Sequence, residues 1–285
     1  MKIADFELGT KTFIIAEIGI NHNGDLEIAQ KLISAAKDAG CDAVKFQKRT
    51  IDVVYTAQEL AKPRENPFGS TNGDLKRGLE FSKEMYAEID KYCKEIGILW
   101  FASPWDENSV DFLELFNIPC YKVAAASLTD AGLLNRLKAT GKPILMSTGM
   151  SELAEIDRAV ALLGEENLLL FHCQSIYPVS VDKINLNAIH TLKERYHVPV
   201  GYSGHELDTV ISAAAVALGA VAVERHLTLD RQMWGSDHKA SINPAEMAEL
   251  VRNIRFVERA RGNGEIKCLP EEVPVRDKLR RVNSL

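Results

Sequence analysis

Eight short apolar runs, separated by segments of helical length, predict one α/β domain folded as a (β/α)8 or TIM barrel. The runs are apolar or β-branched without alternation, which is typical of parallel strands buried on both faces. At 285 residues and 46% hydrophobic composition, the chain has the size of one such barrel. The predicted strands are Phe13 to Gly19, Asp42 to Gln47, Ile98 to Ser103, Cys120 to Ala124, Pro143 to Thr148, Leu168 to Gln174, Val198 to Ser203 and Ala220 to His226.

The segments between these runs carry helix-terminating signals. Asp25 is positioned to cap a helix that continues to Ala39, and Gly40 follows as its C-cap. After the eighth run, Asn243 begins a strong amphipathic helix that ends at Gly262. Strands therefore alternate with helices along the chain, as a barrel of this class requires.

The predicted barrel domain spans residues 1–262. Residues 263–285 carry Pro270, Pro274 and several charges but no clear period, and we expect a C-terminal tail or the start of a linker. Between the second and third runs lies a long connection, Lys48 to about Ser82, rich in Pro, Gly, Asn and charge. Its length favours either a lid over the barrel mouth or an ordinary surface excursion.

Composition limits the class of partner. A formal net charge of -6 argues against an electrostatic surface for nucleic acid or membrane, and no run approaches the 18 or so apolar residues of a membrane span. A small-molecule substrate is the expected partner. Five cysteines without a CxxC pair, together with an N-terminus unlike a signal peptide, predict a reduced cytoplasmic protein.

Polar residues are concentrated at the carboxyl ends of the predicted strands, where TIM barrels build their active sites. His205 and His226 end neighbouring strands, and two imidazoles with carboxylate and water suit Zn, Mn or Fe. The alternative for each is a hydrogen-bonded core histidine. Because His172 and Cys173 are adjacent on a strand, they point to opposite faces, which excludes a cysteine and histidine catalytic pair.

Two lysines, Lys45 and Lys122, lie inside apolar strands. A buried lysine needs an anion to remain charged, and a substrate with phosphate and carboxylate groups would satisfy both. The alternative is an internal salt bridge, for example between Lys45 and Glu17 on the adjacent strand.

The motifs AEIGINHNG, AVKFQ, YKVA, STGMS, HCQSIYP, GYSGHE, ERHLTLDR and WGSDHKAS, in this order, resemble the sialic acid (N-acetylneuraminate) synthase family. The resemblance runs from Ile14 to Gly262. It implies a TIM-barrel transferase that condenses phosphoenolpyruvate with an aldose, N-acetylmannosamine or a related sugar. The products would be a 2-keto-3-deoxy sugar acid of the sialic acid type and phosphate.

The resemblance also implies a role for each matching residue. Glu17 would lie near the attacked carbon and act in catalysis together with the metal-binding His205 and His226, the metal most commonly being Mn2+. The other implied contacts are Lys45, Ser103, Lys122 and Ser203 with phosphoenolpyruvate, and Gln47, Tyr177 and Asp237 with the sugar.

Two departures from the family pattern bear on the acceptor. Ala125 and Ser127 stand where the family often has a serine and an acidic residue that contacts the sugar. The resemblance therefore leaves open a diacetamido, unacetylated or phosphorylated acceptor. A noncatalytic barrel that binds sugar or anion is the alternative from another class.

Many family members carry a C-terminal antifreeze-like domain, and this chain stops at Leu285, about where the linker to that domain would begin. We therefore expect either a short form of the family that lacks the domain or a truncated chain. A homodimer that associates through barrel helices is the general expectation.

Overall fold

Eight parallel strands form a closed barrel in this computed structural model, which describes residues 1–282. The strands begin and end within two residues of the predicted runs, so the (β/α)8 prediction is confirmed. They are β1 (Phe13–Gly19), β2 (Ala43–Lys48), β3 (Leu99–Pro104), β4 (Tyr121–Val123), β5 (Ile144–Ser147), β6 (Leu168–Cys173), β7 (Val200–Gly204) and β8 (Ala222–His226).

One helix follows each strand on the outside of the barrel. The helices are α1 (Leu26–Ala39), α2 (Lys83–Ile96), α3 (Glu107–Glu114), α4 (Ala131–Lys138), α5 (Leu153–Leu163), α6 (Ala188–Arg195), α7 (Val210–Ala217) and α8 (Pro244–Arg261). The predicted ends of α1 are confirmed, since Asp25 accepts from two backbone N–H groups of the first turn and Gly40 adopts a left-handed φ of 88°. Asn243 caps α8 as predicted.

The register of the strands places polar residues side by side at the carboxyl ends of adjacent strands. β8 pairs with β1 and closes the barrel, so that His226 lies beside Glu17. In the neighbouring pairs Glu17 lies beside Lys45, and Ser203 lies beside Glu224. Below this level the barrel and the strand–helix layer are apolar, with Ile15, Phe101 and Leu145 among many fully buried side chains. The polar ring therefore rests on a rigid, packed core.

The long connection after β2 is folded. It contains short helices (Ile51–Val54, Ala57–Leu60 and Asn72–Gly78) and a two-stranded hairpin (Pro63–Asn66 and Gly69–Thr71). The Phe68 ring packs directly against Gly78, where any Cβ would lie about 2.1 Å from the ring. Phe68 also contacts the β1–α1 turn at Gly24, so the excursion is anchored beside the barrel mouth. Its action as a lid stays a prediction.

Beyond Gly262 the chain forms a 3-10 turn at Pro270–Glu272 and a short helix at Val273–Leu279, both largely exposed. The predicted tail at residues 263–285 includes residues 283–285, which lie outside the described residues. Between residues 1 and 282, no helix has the length and apolar character needed to cross a membrane.

Candidate active site

A cavity of about 340 Å³ opens at the carboxyl ends of the barrel strands. All ten residues to which the sequence analysis gave a site role line it. They are Glu17, Lys45, Gln47, Ser103, Lys122, Tyr177, Ser203, His205, His226 and Asp237. Their convergence follows from topology, because the ends of eight parallel strands in a closed barrel face one space.

Four buried charges form the floor of this cavity. Lys45 Nζ lies 3.2 Å from Glu17 Oε2 and 3.1 Å from Glu224 Oε1, while Lys122 Nζ lies 3.6 Å from the same Glu224 oxygen. The salt bridge between Lys45 and Glu17 is thus present. It was the predicted alternative to an anion site. Two cations and two carboxylates balance one another, which removes the cost of burying any of them alone.

The two carboxylates differ in how readily they take up a proton. Burial would raise the pKa of Glu224, but Lys122 and Lys45 outweigh this and hold it at about 2. For Glu17, burial is the larger influence and its pKa is raised, with Lys45 only partly offsetting it. Glu224 is therefore a fixed negative charge, whereas Glu17 takes up a proton more readily than an ordinary glutamate does.

The lysines differ in the same way. Burial alone would lower the pKa of Lys45, but the Glu17 and Glu224 carboxylates outweigh it and raise this pKa. Burial dominates at Lys122 and lowers its pKa, since Glu224 offsets only part of the desolvation. An additional anion beside Lys122 would stabilise its charged form.

Serine hydroxyls surround the charged floor. Lys45 Nζ donates to Ser103 Oγ at 3.3 Å, Lys122 Nζ donates to Ser147 Oγ, and Ser203 Oγ donates to Glu224 Oε1 at 3.2 Å. Each hydroxyl comes from a different strand end. Because a hydroxyl rotates between donating and accepting, these serines are able to turn toward an anion bound on the lysines.

The two histidines stand together at one side of the cavity, with ring centroids 5.5 Å apart. His205 Nδ1 is 2.7 Å from the Gln174 carbonyl oxygen, which leaves Nε2 for another partner. His226 Nδ1 is buried without a hydrogen-bond partner among the described residues. Burial, reinforced by His226, lowers the pKa of His205 to about 3, so this imidazole is neutral at physiological pH, as a metal ligand must be.

These features fit a divalent metal held by two imidazoles. A backbone carbonyl fixes the His205 ring, which is the usual outer-shell support of a metal-binding histidine, and the His226 nitrogen without a partner invites a ligand. No group of three or more His, Cys, Asp or Glu side chains in the described part of the chain has a metal-binding arrangement. Water or substrate oxygens would therefore have to supply the other ligands.

Glu17 is also held by an amide, since Gln47 Nε2 donates to Glu17 Oε1 at 2.8 Å. Arg49 in turn donates to Gln47 Oε1, and its guanidinium lies 4.3 Å from the centre of the Trp105 ring. The centre of the Tyr177 ring lies 4.1 Å from the centre of the His205 ring. Glu17 thus faces the histidine pair from a position fixed by its neighbours.

A buried ion pair supports the two histidine-bearing strand ends from outside the barrel. Arg225, which precedes His226, donates to Glu206 Oε1 at 3.0 Å, and Glu206 follows His205. Glu206 also accepts from the Tyr202 and Ser212 hydroxyls at 2.8 and 3.0 Å.

Both side chains of this pair are 1% exposed. The arrangement links the ends of β7 and β8 and thereby fixes the spacing of the histidines.

The structure adds residues to which the sequence analysis gave no role. Glu224 contacts both lysines, although nothing in the sequence distinguishes it from the other polar residues at the end of the eighth strand. Arg49, Lys76 and Trp105 line the cavity from connections after β2 and β3. Their signal in the sequence was only proximity to a strand end or to the long excursion.

The structure also shows where His172, Cys173, Ala125 and Ser127 lie relative to the cavity. Cys173 lines the cavity, whereas His172 does not line it and its Nε2 lies 2.7 Å from the Ile184 carbonyl oxygen. Ala125 lines the cavity, but Ser127 is buried outside it. Of the two departures from the family pattern, only Ala125 contributes to the cavity wall.

Known proteins resemble this chain over most of its length. The NeuB family profile matches residues 32–266. Human N-acetylneuraminate-9-phosphate synthase is 40% identical over 272 residues, covering 94% of this chain and 76% of the human protein. The N,N'-diacetyllegionaminic acid synthase of Legionella pneumophila is 38% identical over 279 residues, covering 94% and 78%.

A solved structure shares the whole architecture. The sialic acid synthetase of Leptospira borgpetersenii, in complex with citrate, superposes with a TM-score of 0.87 at 30% identity and covers 99% of this chain and 98% of that one. The motifs predicted this resemblance, and both the sequence and the fold bear it out. The chain therefore belongs to the NeuB family and is an enzyme of the sialic acid synthase type.

Proposed function

We propose that this protein condenses phosphoenolpyruvate with an aldose in a metal-dependent reaction, giving a 2-keto-3-deoxy sugar acid and phosphate. The observation that carries the proposal is the juxtaposition, in one cavity, of two buried lysines and two neighbouring imidazoles around Glu17. The lysines suit a small polyanion, and the imidazoles would hold a divalent metal.

Lys45 and Lys122 would hold phosphoenolpyruvate. In the free enzyme their charges are balanced by Glu17 and Glu224, so an incoming anion takes over part of this pairing. Ser103 and Ser203, which already contact the charged floor, would donate to the anion. Fixing the polyanion in this way converts a bimolecular encounter into an oriented one.

His205 and His226 would hold the metal, and Mn2+ is the expected ion. The metal would supply Lewis-acid polarisation of the aldehyde of the open-chain sugar. Gln47, Tyr177 and Asp237, which line the cavity around the histidines, would position the sugar beside them. The aldehyde carbon would then lie within reach of the enol carbon held on the lysine side.

The reaction balances without a further co-reactant. The bond between C3 of phosphoenolpyruvate and the aldehyde carbon forms, water adds to C2, and the C2–O bond to phosphate breaks. Glu17 is the group suited to accept the proton of the attacking water or to stabilise positive charge at C2, because its pKa is raised and it lies beside Lys45 and the histidines.

We propose three aldoses as candidate acceptors. N-acetylmannosamine is the first candidate, and the similarity to a legionaminic acid synthase supports a diacetamido sugar as the second. The human relative is an N-acetylneuraminate-9-phosphate synthase, which supports a phosphorylated aldose as the third candidate. Mass spectrometry of the keto acid formed from each candidate identifies the acceptor.

The test of function is phosphate release with Mn2+, phosphoenolpyruvate and this panel of sugars. We expect one acceptor to give stoichiometric phosphate and keto acid, and no release with any of them would contradict the proposal. His226→Ala should abolish turnover and weaken Mn2+ binding while the circular dichroism spectrum is unchanged. The exposed His190→Ala is the matched control.

We also expect a homodimer that works in the cytoplasm. The four buried cysteines are all in the free thiol form, in keeping with a reducing compartment. Light scattering of the purified protein measures the oligomeric state, and cell fractionation measures the compartment.

A further inference from the structure

Arg49, the first residue after β2, is held by several contacts at the wall of the active-site cavity. Its backbone N–H donates to Glu80 Oε2 at 3.2 Å, its Nη1 lies 3.4 Å from Glu80 Oε1, and its guanidinium lies 4.3 Å from the centre of the Trp105 ring. The next backbone N–H, that of Thr50, donates to Asp106 Oδ2 at 2.7 Å. Because the Arg49 side chain is 10% exposed and bonded in this way, the guanidinium has a defined position.

One nitrogen of this guanidinium faces the Gln47 amide. Arg49 Nη2 donates to Gln47 Oε1, and Gln47 Nε2 donates to Glu17 Oε1 at 2.8 Å. Among residues 1–282, Arg49 is the one hydrogen-bond donor to Gln47 Oε1. The amide is therefore a bridge between the Arg49 guanidinium and the Glu17 carboxylate.

The bonded side chains of Gln47 and Glu17 pack against the backbone of Gly19. A Cβ at Gly19 would lie 2.9 Å from Glu17 Oε1 and 3.2 Å from Gln47 Nε2. Gly19 has a φ of 55°, and the register between β1 and β2 shifts between Glu17 and Gly19. A glycine at this irregularity thus leaves the space in which the amide meets the carboxylate.

The chemistry of the three bonded groups favours one orientation of the amide. A guanidinium has only donors and an ionised carboxylate has only acceptors, whereas an amide has a donor end and an acceptor end. Gln47 satisfies both neighbours when Oε1 faces Arg49 and Nε2 faces Glu17. The reverse orientation places donor against donor and acceptor against acceptor. Without Arg49, Oε1 loses its donor and that side no longer opposes rotation of the amide.

We propose that Arg49 is a positioning residue for the reaction, which fixes the orientation of the Gln47 amide and through that amide holds the Glu17 carboxylate. The inference rests on the proposed function, in which Glu17 acts at the reacting carbon. Arg49 works in this role without a contact to either substrate. A carboxylate that leaves its position loses alignment with the reacting atoms, so removal of Arg49 should lower kcat rather than weaken phosphoenolpyruvate binding.

A double-mutant cycle tests whether Arg49 acts through Gln47. Arg49→Met should lower kcat by about tenfold and change the KM of phosphoenolpyruvate by less than about twofold, since one hydrogen bond of a charged group is lost. In a Gln47→Met background the same substitution should have no further effect on kcat, because the amide is already absent.

Lys48→Met is the matched control for this cycle. The Lys48 ammonium donates to Glu80 Oε2 at 2.8 Å and to the Arg49 carbonyl at 3.1 Å rather than to Gln47. We expect this variant to keep the wild-type kcat. An unchanged kcat in Arg49→Met, or an equal loss of kcat in both backgrounds, would overturn the inference, because Arg49 would then have no effect or one that is independent of the amide.

A spectroscopic test separates this inference from the proposed reaction. With nitrogen-15 in the glutamine side chains, NMR follows the Gln47 amide, whose signal is identified by its absence in Gln47→Met. We expect its protons to exchange with solvent at least about tenfold faster in Arg49→Met than in the wild type and in Lys48→Met. Equal exchange in all three proteins would overturn the inference. If exchange is faster in Arg49→Met but the wild type releases phosphate with no sugar, the proposed function fails and the hold of Arg49 on Gln47 stands.

Discussion

Glu224→Gln is the substitution that tests the charged floor most directly. Glutamine keeps the shape of the side chain and an oxygen for the Ser203 hydroxyl, but it removes the negative charge that faces Lys45 and Lys122. Only Glu17 would then oppose the two buried lysines. Since an uncompensated buried charge is costly, the free enzyme should be destabilised.

The magnitude follows from proton linkage. The pKa of Glu224 lies at about 2, below its ordinary value of 4.5, and each tenfold change in proton affinity corresponds to about 1.4 kcal/mol. The ionised carboxylate therefore contributes about 3 kcal/mol to the free energy of unfolding. A carboxyl with a lowered pKa contributes this stability above pH 4.5 and loses it as the pH falls toward 2.

Urea denaturation at neutral pH measures the effect. We expect the variant to unfold with a free energy about 3 kcal/mol lower than the wild type, and this difference to shrink as the pH falls below 4.5. The same loss of negative charge should strengthen phosphoenolpyruvate binding by about tenfold in calorimetry without acceptor. The exposed Glu166→Gln is the control. An unchanged unfolding free energy, or weaker phosphoenolpyruvate binding, would refute the reasoning.

Three further substitutions test stability around the site. Burial lowers the pKa of His22 to about 3, so from pH 6.5 downward the unfolded chain gains a proton that the native state refuses. At pH 5 this lowers the free energy of unfolding by about 2 kcal/mol. Urea titrations should show this loss for the wild type and His190→Gln but not for His22→Gln. Arg225→Met leaves the Glu206 carboxylate buried without its partner and should lower the free energy of unfolding by about 3–5 kcal/mol. Adding Glu206→Leu to this variant should restore most of that free energy in the same assay. Asp25→Ala removes the cap of α1 and should cost about 1 kcal/mol in thermal denaturation, and no change would show that the cap contributes nothing.

The sequence by itself determined the barrel and the position of its active site. Near-continuous apolar runs such as Leu168 to Gln174 have no polar face to expose, so they become strands covered on both sides, and helices must supply the cover. The Asp25 and Gly40 signals act within one turn of α1, which explains why the predicted helix ends agree with the structure. Because the carboxyl ends of the strands in a closed barrel face one space, the polar residues at those ends lie close together.

The tertiary structure decided which charges pair and which loops touch. The contact between Glu224 and both lysines depends on distances across the barrel, which no spacing along the chain encodes. Likewise, Arg64 and Lys239 are separated by most of the sequence and line one cavity only because the excursion and the β8 loop pack side by side. Strand ends follow from local pattern and topology, whereas the cavity lined by Arg64 and Lys239 follows from long-range packing of loops. The sequence alone could therefore predict the strand ends but not this cavity.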